Sequence, residues 1–301
     1  MWYCGKVSAV FMGGNKDSGE TPYSRGMENM IRPTSVQKWS RCPTLWYLTD
    51  IEGWRQPDSA WSPERDIGTA IHAAIAWYWR NDHDIVGAGV EAERVLRSKW
   101  VEGSAFEIEA HIPIVHKTLL AVWKWIETNM SHVRMVMVES PLGADGHTTP
   151  DLVTEEDGDL VVTDWKSSLN LPAEKMVYRL EGAERDHQFW HYIMAVSDRL
   201  ERPVKRFRKV VIGCTPKPIV KATEFTVEKA AFLSWFDQTI QKWEQMEEMK
   251  DNAHLVYRRE EGCKPFGEKW PCPMFEACWT CHGDREKMAN FYIREEKRDD
   301  A

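Results

Sequence analysis

Apolar positions along the chain change their period near residue 133. Before that point they recur at helical spacing: Ile67, Ile71, Ala74, Ile75 and Tyr78 share one helical face. Ser62 stands ahead of them as N-cap, with Pro63 at the first helical position and Glu64 in the first turn. Further helices are expected around 87–101 and 113–129, the second turning Leu119, Val122, Trp123 and Ile126 inward. An earlier helix begins at Ser35, whose hydroxyl can cap it, buries Val36 and Trp39, and is disturbed at Cys42-Pro43, because proline disfavours helical backbone in the residue before it. Beyond residue 133 the period drops to two. Segments 133–139, 148–153, 159–165 and 208–214 read as strands, and Glu156-Asp157-Gly158 as a tight turn between two of them. Helical patterns return over 184–198 and 228–249. This order predicts an α/β fold, a mixed central sheet flanked by helices.

Composition narrows the class. With 301 residues and 43% hydrophobic content the chain can bury a large core, and no run of 18 apolar residues suggests a membrane helix. Met1-Trp2-Tyr3-Cys4-Gly5-Lys6 lacks the charged-then-apolar order of a signal peptide, so a cytoplasmic protein is expected. Residues 1–30 mix Gly, Ser, Asn and Asp without a period and read as a mobile leader. A net charge of −8 argues against a nonspecific nucleic-acid coat but leaves room for a local basic track. Arg199, Arg202, Lys205, Arg206, Arg208 and Lys209 could form one, or simply a solvated charged face.

The candidate chemistry lies where Pro150-Asp151 is followed, after the hairpin, by Asp164-Trp165-Lys166. Side chains two apart on a strand share a face, so Asp164 and Lys166 point together while Trp165 enters the opposite layer. The hairpin brings Asp151 beside them. Two carboxylates and an ammonium on one rim suit metal-assisted phosphodiester hydrolysis: oxygen ligands for Mg²⁺ or Mn²⁺, and a cation near the attacking water. A surface hairpin with a salt bridge is the plainer alternative. His72 stands beside the apolar stripe of its helix, with Gly68 one turn earlier leaving room for close approach. Gln188 and Tyr192 share a helical face, and Glu139 ends the strand before Asp151 as a candidate supporting carboxylate.

The run Pro150-Asp151 … Asp164-Trp165-Lys166-Ser167-Ser168 resembles the core motif of the PD-(D/E)XK nuclease superfamily. Gly68-Thr69-Ala70-Ile71-His72, the Gln188/Tyr192 pair, and one early with three late cysteines are similar to marks of its RecB-type branch, including CRISPR-associated and AddB-like iron–sulfur exonucleases of bacteria and phages. One departure is Thr148, where the family often has glycine, with Gly146 nearby. The resemblance spans about residues 33–282. It implies a restriction-endonuclease-like core over 31–250, a cysteine-clasped lobe over 251–285 and a charged tail over 286–301. It implies His72, Asp151, Asp164 and the carbonyl of Trp165 as metal ligands, Lys166 as a catalytic residue with Asp151 and Asp164, and Gln188 and Tyr192 as DNA contacts, with Gln188 alternatively holding the active-site lysine. The implied activity is exonucleolytic, on DNA ends or single strands, in recombination, repair or CRISPR spacer processing. Implied partners are DNA and a helicase, recombinase or CRISPR integrase.

The chain has seven cysteines, four of them (Cys263, Cys272, Cys278, Cys281) in one short segment, which points to a metal site before disulfides. The resemblance implies a [4Fe–4S] cluster on Cys42, Cys263, Cys272 and Cys278, with Cys281 as alternative to Cys263. A Cys₄ zinc site from Cys263, Cys272, Cys278 and Cys281 competes with it, since thiolates at short spacing suit Zn²⁺ equally well. Two other functions stay open: a noncatalytic DNA-binding subunit of a helicase–nuclease complex, and a zinc-ribbon interaction protein.

Overall fold

The computed structural model describes residues 33–57, 62–99, 105–142, 148–182, 184, 186–259, 263 and 272–295. The expected leader, Cys4, Gly146 and the last part of the charged tail lie outside these residues. Chain contacts divide the described residues into two units, one from residues 60–232 and one assembled from 31–59 and 233–301.

The first unit opens with α1 (Pro63–Arg80), α2 (Ile85–Ser98) and α3 (Ala105–Met130). Ser62 is the N-cap of α1, but its hydroxyl makes no capping bond. Instead the Asp66 carboxylate accepts from the Ser62 N–H at 2.9 Å. α3 starts a full two turns before the expected residue 113, with Pro113 inside it. Proline there deprives the Glu109 carbonyl of its donor, yet Glu109 is exposed and water can serve it. Burial of Ile108, Ile112, Val115 and Leu119 along one face carries the helix across the proline.

A five-stranded sheet follows: β1 (Arg134–Val138), β2 (Leu152–Glu156), β3 (Asp159–Leu169), β4 (Val204–Cys214) and β5 (Ile219–Thr226), in that spatial order. All neighbours are antiparallel except β3 and β4, which run parallel. Parallel strands need a crossover. Here it holds α4 (Ala173–Leu180) and α5 (His187–Leu200). Asp157 and Gly158 turn the β2–β3 hairpin with φ of +52° and +84°, the pair of left-handed residues that a two-residue hairpin loop requires. α4 and β5 were not read from the sequence, and Thr148 forms a lone bridge to Leu142 instead of opening β2. Helices α1 and α3 bury one sheet face, with α2 packed against both of them, in a core that includes Ile67, Ile71, Val122, Leu152, Trp165 and Val210. The outcome is the expected α/β layout with a mixed central sheet.

The second unit holds the helices Pro33–Arg41 and Pro43–Trp46, a π-helical turn over Tyr47–Ile51, and the short antiparallel pair Trp54–Arg55 with Ile293–Arg294. Cys42 interrupts the first helix as expected, and Pro43 restarts it. Ser35 does not cap: its hydroxyl donates to Asp50, which also takes Lys38 and Thr49. Two apolar clusters form inside this unit, one of Val36, Trp39, Trp46 and Met246, the other including Cys42, Leu45, Leu48, Cys272, Met274 and Cys281. Among the described residues no helix is long and apolar enough to cross a membrane.

Candidate metal centre

The sheet delivers its carboxylates where β1, β2 and β3 come level. Leu152 pairs with Thr163, which sets Asp151 beside Asp164, and the Glu139 N–H donates to the Asp151 carbonyl at 3.1 Å. His72 reaches this point from the middle of α1. Its Nδ1 lies 3.5 Å from Asp151 Oδ1 and 3.9 Å from Glu139 Oε1. Donor atoms of His72, Glu139 and Asp151 all fall within 4.8 Å of one another. One imidazole and two carboxylates at that spacing can surround a single divalent cation. The second Asp151 oxygen is committed elsewhere: it accepts from the Trp165 N–H at 2.7 Å, which fixes the carboxylate's orientation. Glu139, expected only to support the ligands, thus has its carboxylate among the candidate donors.

On β3 the side chains alternate as expected. Trp165 is buried against Trp125, ring centroids 5.7 Å apart and nearly perpendicular, while Asp164 and Lys166 share the other face. Lys166 Nζ lies 2.8 Å from Asp164 Oδ1 and donates to Gln188 Oε1 at 3.0 Å. The Gln188 amide donates in turn to the Tyr192 hydroxyl at 2.5 Å. Gln188 sits in the first turn of α5, where Asp186 caps the helix by accepting the Gln188 N–H at 3.0 Å. So Gln188, expected to hold either DNA or the active-site lysine, here bonds Lys166, and Tyr192 bonds Gln188 in turn.

Charge and burial shift these groups together. Burial, with the Asp151 charge adding to it, outweighs Lys166 and pushes Asp164 up to about 6. Burial likewise raises Glu139. For His72 burial acts to lower the imidazolium, but the hydrogen bond and charge of Asp151 carry it above the ordinary histidine range. Lys166, despite burial, is held protonated by Asp164 and Asp151. The protons that these groups retain are the ones a bound cation would displace.

Gly68 lets this happen at close range: a Cβ there would stand 2.8 Å from Ser167 Oγ on β3. The expected basic track is largely engaged elsewhere. Arg208 forms a two-bonded pair with Glu156 at 2.8 Å and also meets Glu224, Arg206 bonds Glu224, and Arg202 bonds Glu155. Only the Arg208–Glu156 pair among them is buried.

Of the other sequence candidates, Cys42, Cys272 and Cys281 are buried in one apolar cluster of the second unit. Cys272 accepts a place beside Cys263 through its N–H, which donates to the Cys263 carbonyl at 2.7 Å. Burial and then the neighbouring thiols Cys42, Cys272 and Cys263 push Cys278 up to about 11. Among the described residues, the thiols do not come as close together as the His72, Glu139 and Asp151 donors do.

Residues 31–278 match the family described as the PD-(D/E)XK nuclease superfamily. No curated protein matches the chain. Among solved structures it is similar to a protein from Eubacterium rectale described as a "Putative exonuclease", with 10% identity and a TM-score of 0.42 over 90% of this chain and 94% of that one.

Proposed function

The chain belongs to the PD-(D/E)XK nuclease superfamily, and from that premise we propose that it hydrolyses DNA phosphodiesters with a divalent metal, acting on DNA ends or single strands. The observation that carries this reading is the meeting of His72, Glu139 and Asp151 within 4.8 Å, next to Asp164 and Lys166. His72, Glu139 and Asp151 would hold the cation, with Asp164 and the Trp165 carbonyl completing the shell. When bound, Mg²⁺ or Mn²⁺ supplies an acidified water and draws charge from the scissile phosphate.

The chain's own groups do the rest. Lys166, held by Gln188, orients the attacking water in line and donates to the oxygen on which charge develops. Tyr192 holds Gln188 in turn. Attack expels the 3′ oxygen and leaves a 5′ phosphate. In the second unit a [4Fe–4S] cluster on Cys42, Cys263, Cys272 and Cys278 is the proposed clasp. Its support is that Cys42 and Cys272 lie in one buried cluster and that the Cys272 N–H donates to the Cys263 carbonyl. The RecB-type resemblance adds recombination, repair or CRISPR spacer processing, with a helicase, recombinase or integrase as partner.

End-labelled single- and double-stranded DNA with Mg²⁺ or Mn²⁺ tests the reading. Asp164→Ala and Lys166→Ala should each abolish cleavage and leave DNA binding and the circular-dichroism spectrum near wild type, because both groups act mainly in the transition state. Near wild-type cutting by either variant would overturn the assignment.

A further inference from the structure

Glu139 joins His72 and Asp151 through an unusual backbone. It is a non-glycine residue with φ of +39°, in the left-handed region that side chains disfavour. Such a conformation persists only where the surroundings hold it. Strand β1 ends at Val138, paired with Leu152, and one more ladder bond, from the Glu139 N–H to the Asp151 carbonyl, fixes one side of the turn. Arg80 holds the other side. Its guanidinium Nη2 donates to the Val138 carbonyl at 3.0 Å and to the Glu139 carbonyl at 3.3 Å.

Arg80 is the last residue of α1, two turns beyond His72 on the same helix. One rigid element therefore carries a metal donor at its centre and, at its end, a clamp on the backbone of another donor. Backbone carbonyls of a turning chain can leave the ladder and rotate to water. Bonding two successive carbonyls with one guanidinium prevents that rotation and keeps the Glu139 side chain on the His72 side.

We propose that Arg80 is a positioning residue of the metal centre, holding the turn at Val138–Glu139 so that the Glu139 carboxylate stands with His72 and Asp151. This rests on the metal-site reading above. The test is Mn²⁺ binding by the full-length, DNA-free protein, followed through the electron paramagnetic resonance signal of free Mn²⁺. The site is defined as the binding lost in Asp151→Asn. Arg80→Met should weaken that binding about tenfold, the loss typical of groups that orient a ligand. Arg80→Lys, which keeps a donor, should recover part of it. In a Glu139→Gln background Arg80→Met should cost little more, since its effect runs through Glu139. Unchanged Mn²⁺ affinity in Arg80→Met, or an equal loss in the Glu139→Gln background, overturns the proposal while leaving the site intact. Wild-type protein without Asp151-dependent Mn²⁺ binding overturns the site and the proposal with it.

Discussion

His72, Glu139, Asp164 and Lys166 all hold their protons more tightly in the folded, metal-free chain than free side chains do. The sign of the consequence is fixed by counting protons. The folded site binds more of them than the unfolded chain, so its contribution to stability falls as pH rises through about 6 and past the raised His72 value. A cation that displaces those protons reverses the penalty. The rise in melting temperature caused by Mn²⁺ should therefore grow as pH rises through about 6, where Asp164 titrates, and on past the raised His72 value. Cleavage should fall on the acid side of the same window, and raising Mn²⁺ should move that limb to lower pH. An acid limb indifferent to metal concentration, read from initial rates at two Mn²⁺ levels, would contradict the coupling. At this scale Asp151, Asp164, Lys166 and His72 were legible as residue types in a pattern. Glu139 was named but given a lesser role, because its place depends on a positive φ and a distant arginine, neither of which leaves a mark in local spacing.

Helix α1 and strand β3 meet at Gly68 and Ser167, and that contact sets how deeply His72 enters the site. A methyl group at 68 meets only a hydroxyl, which can turn aside, whereas a branched side chain must push helix from sheet. Gly68→Ala should thus lose cleavage modestly, Gly68→Val by an order of magnitude or more, and Ser167→Gly should restore part of the Gly68→Ala loss. Single-turnover rates at saturating Mn²⁺ would measure this, and failure of Ser167→Gly to rescue would deny the contact its role. Elements were readable where local chemistry was decisive. The Asp157-Gly158 hairpin demands residues that tolerate left-handed backbone, and α1 repeats apolar positions at helical spacing. They were misread where tertiary burial overrode a local rule. Pro113 resembles a helix start, yet the face of Ile108 and Ile112 pulls two earlier turns into α3. The edge strand β5 alternates half-buried and exposed positions without a strong apolar face, so its period carried little signal.

Across the whole molecule, the second unit draws Cys42 from one end of the chain and Cys263, Cys272 and Cys278 from the other. If iron ties them, Cys42→Ala should bleach anaerobically purified brown protein and lower its melting temperature, since a clasp over more than 200 residues stabilises by several kcal/mol, roughly, in the chain-entropy limit. Colourless protein holding one zinc, with Cys42→Ala silent, would transfer the metal to Cys263, Cys272, Cys278 and Cys281. The early and late cysteines were legible in the sequence, but only a family pattern could join residues so far apart. The same division has a consequence during synthesis. A ribosome releases residues 60–232 as one continuous stretch, so the sheet and every donor of the candidate metal centre can assemble before the chain is finished. The unit begun at residue 31 cannot: Val36, Trp39, Leu45 and Trp46 emerge early and must wait for Met246 and Met274 to cover them. For that interval the newborn chain carries a completed sheet unit and, in its other unit, an uncovered apolar surface with Trp39 and Trp46, and it is this waiting unit that a chaperone would have to shield.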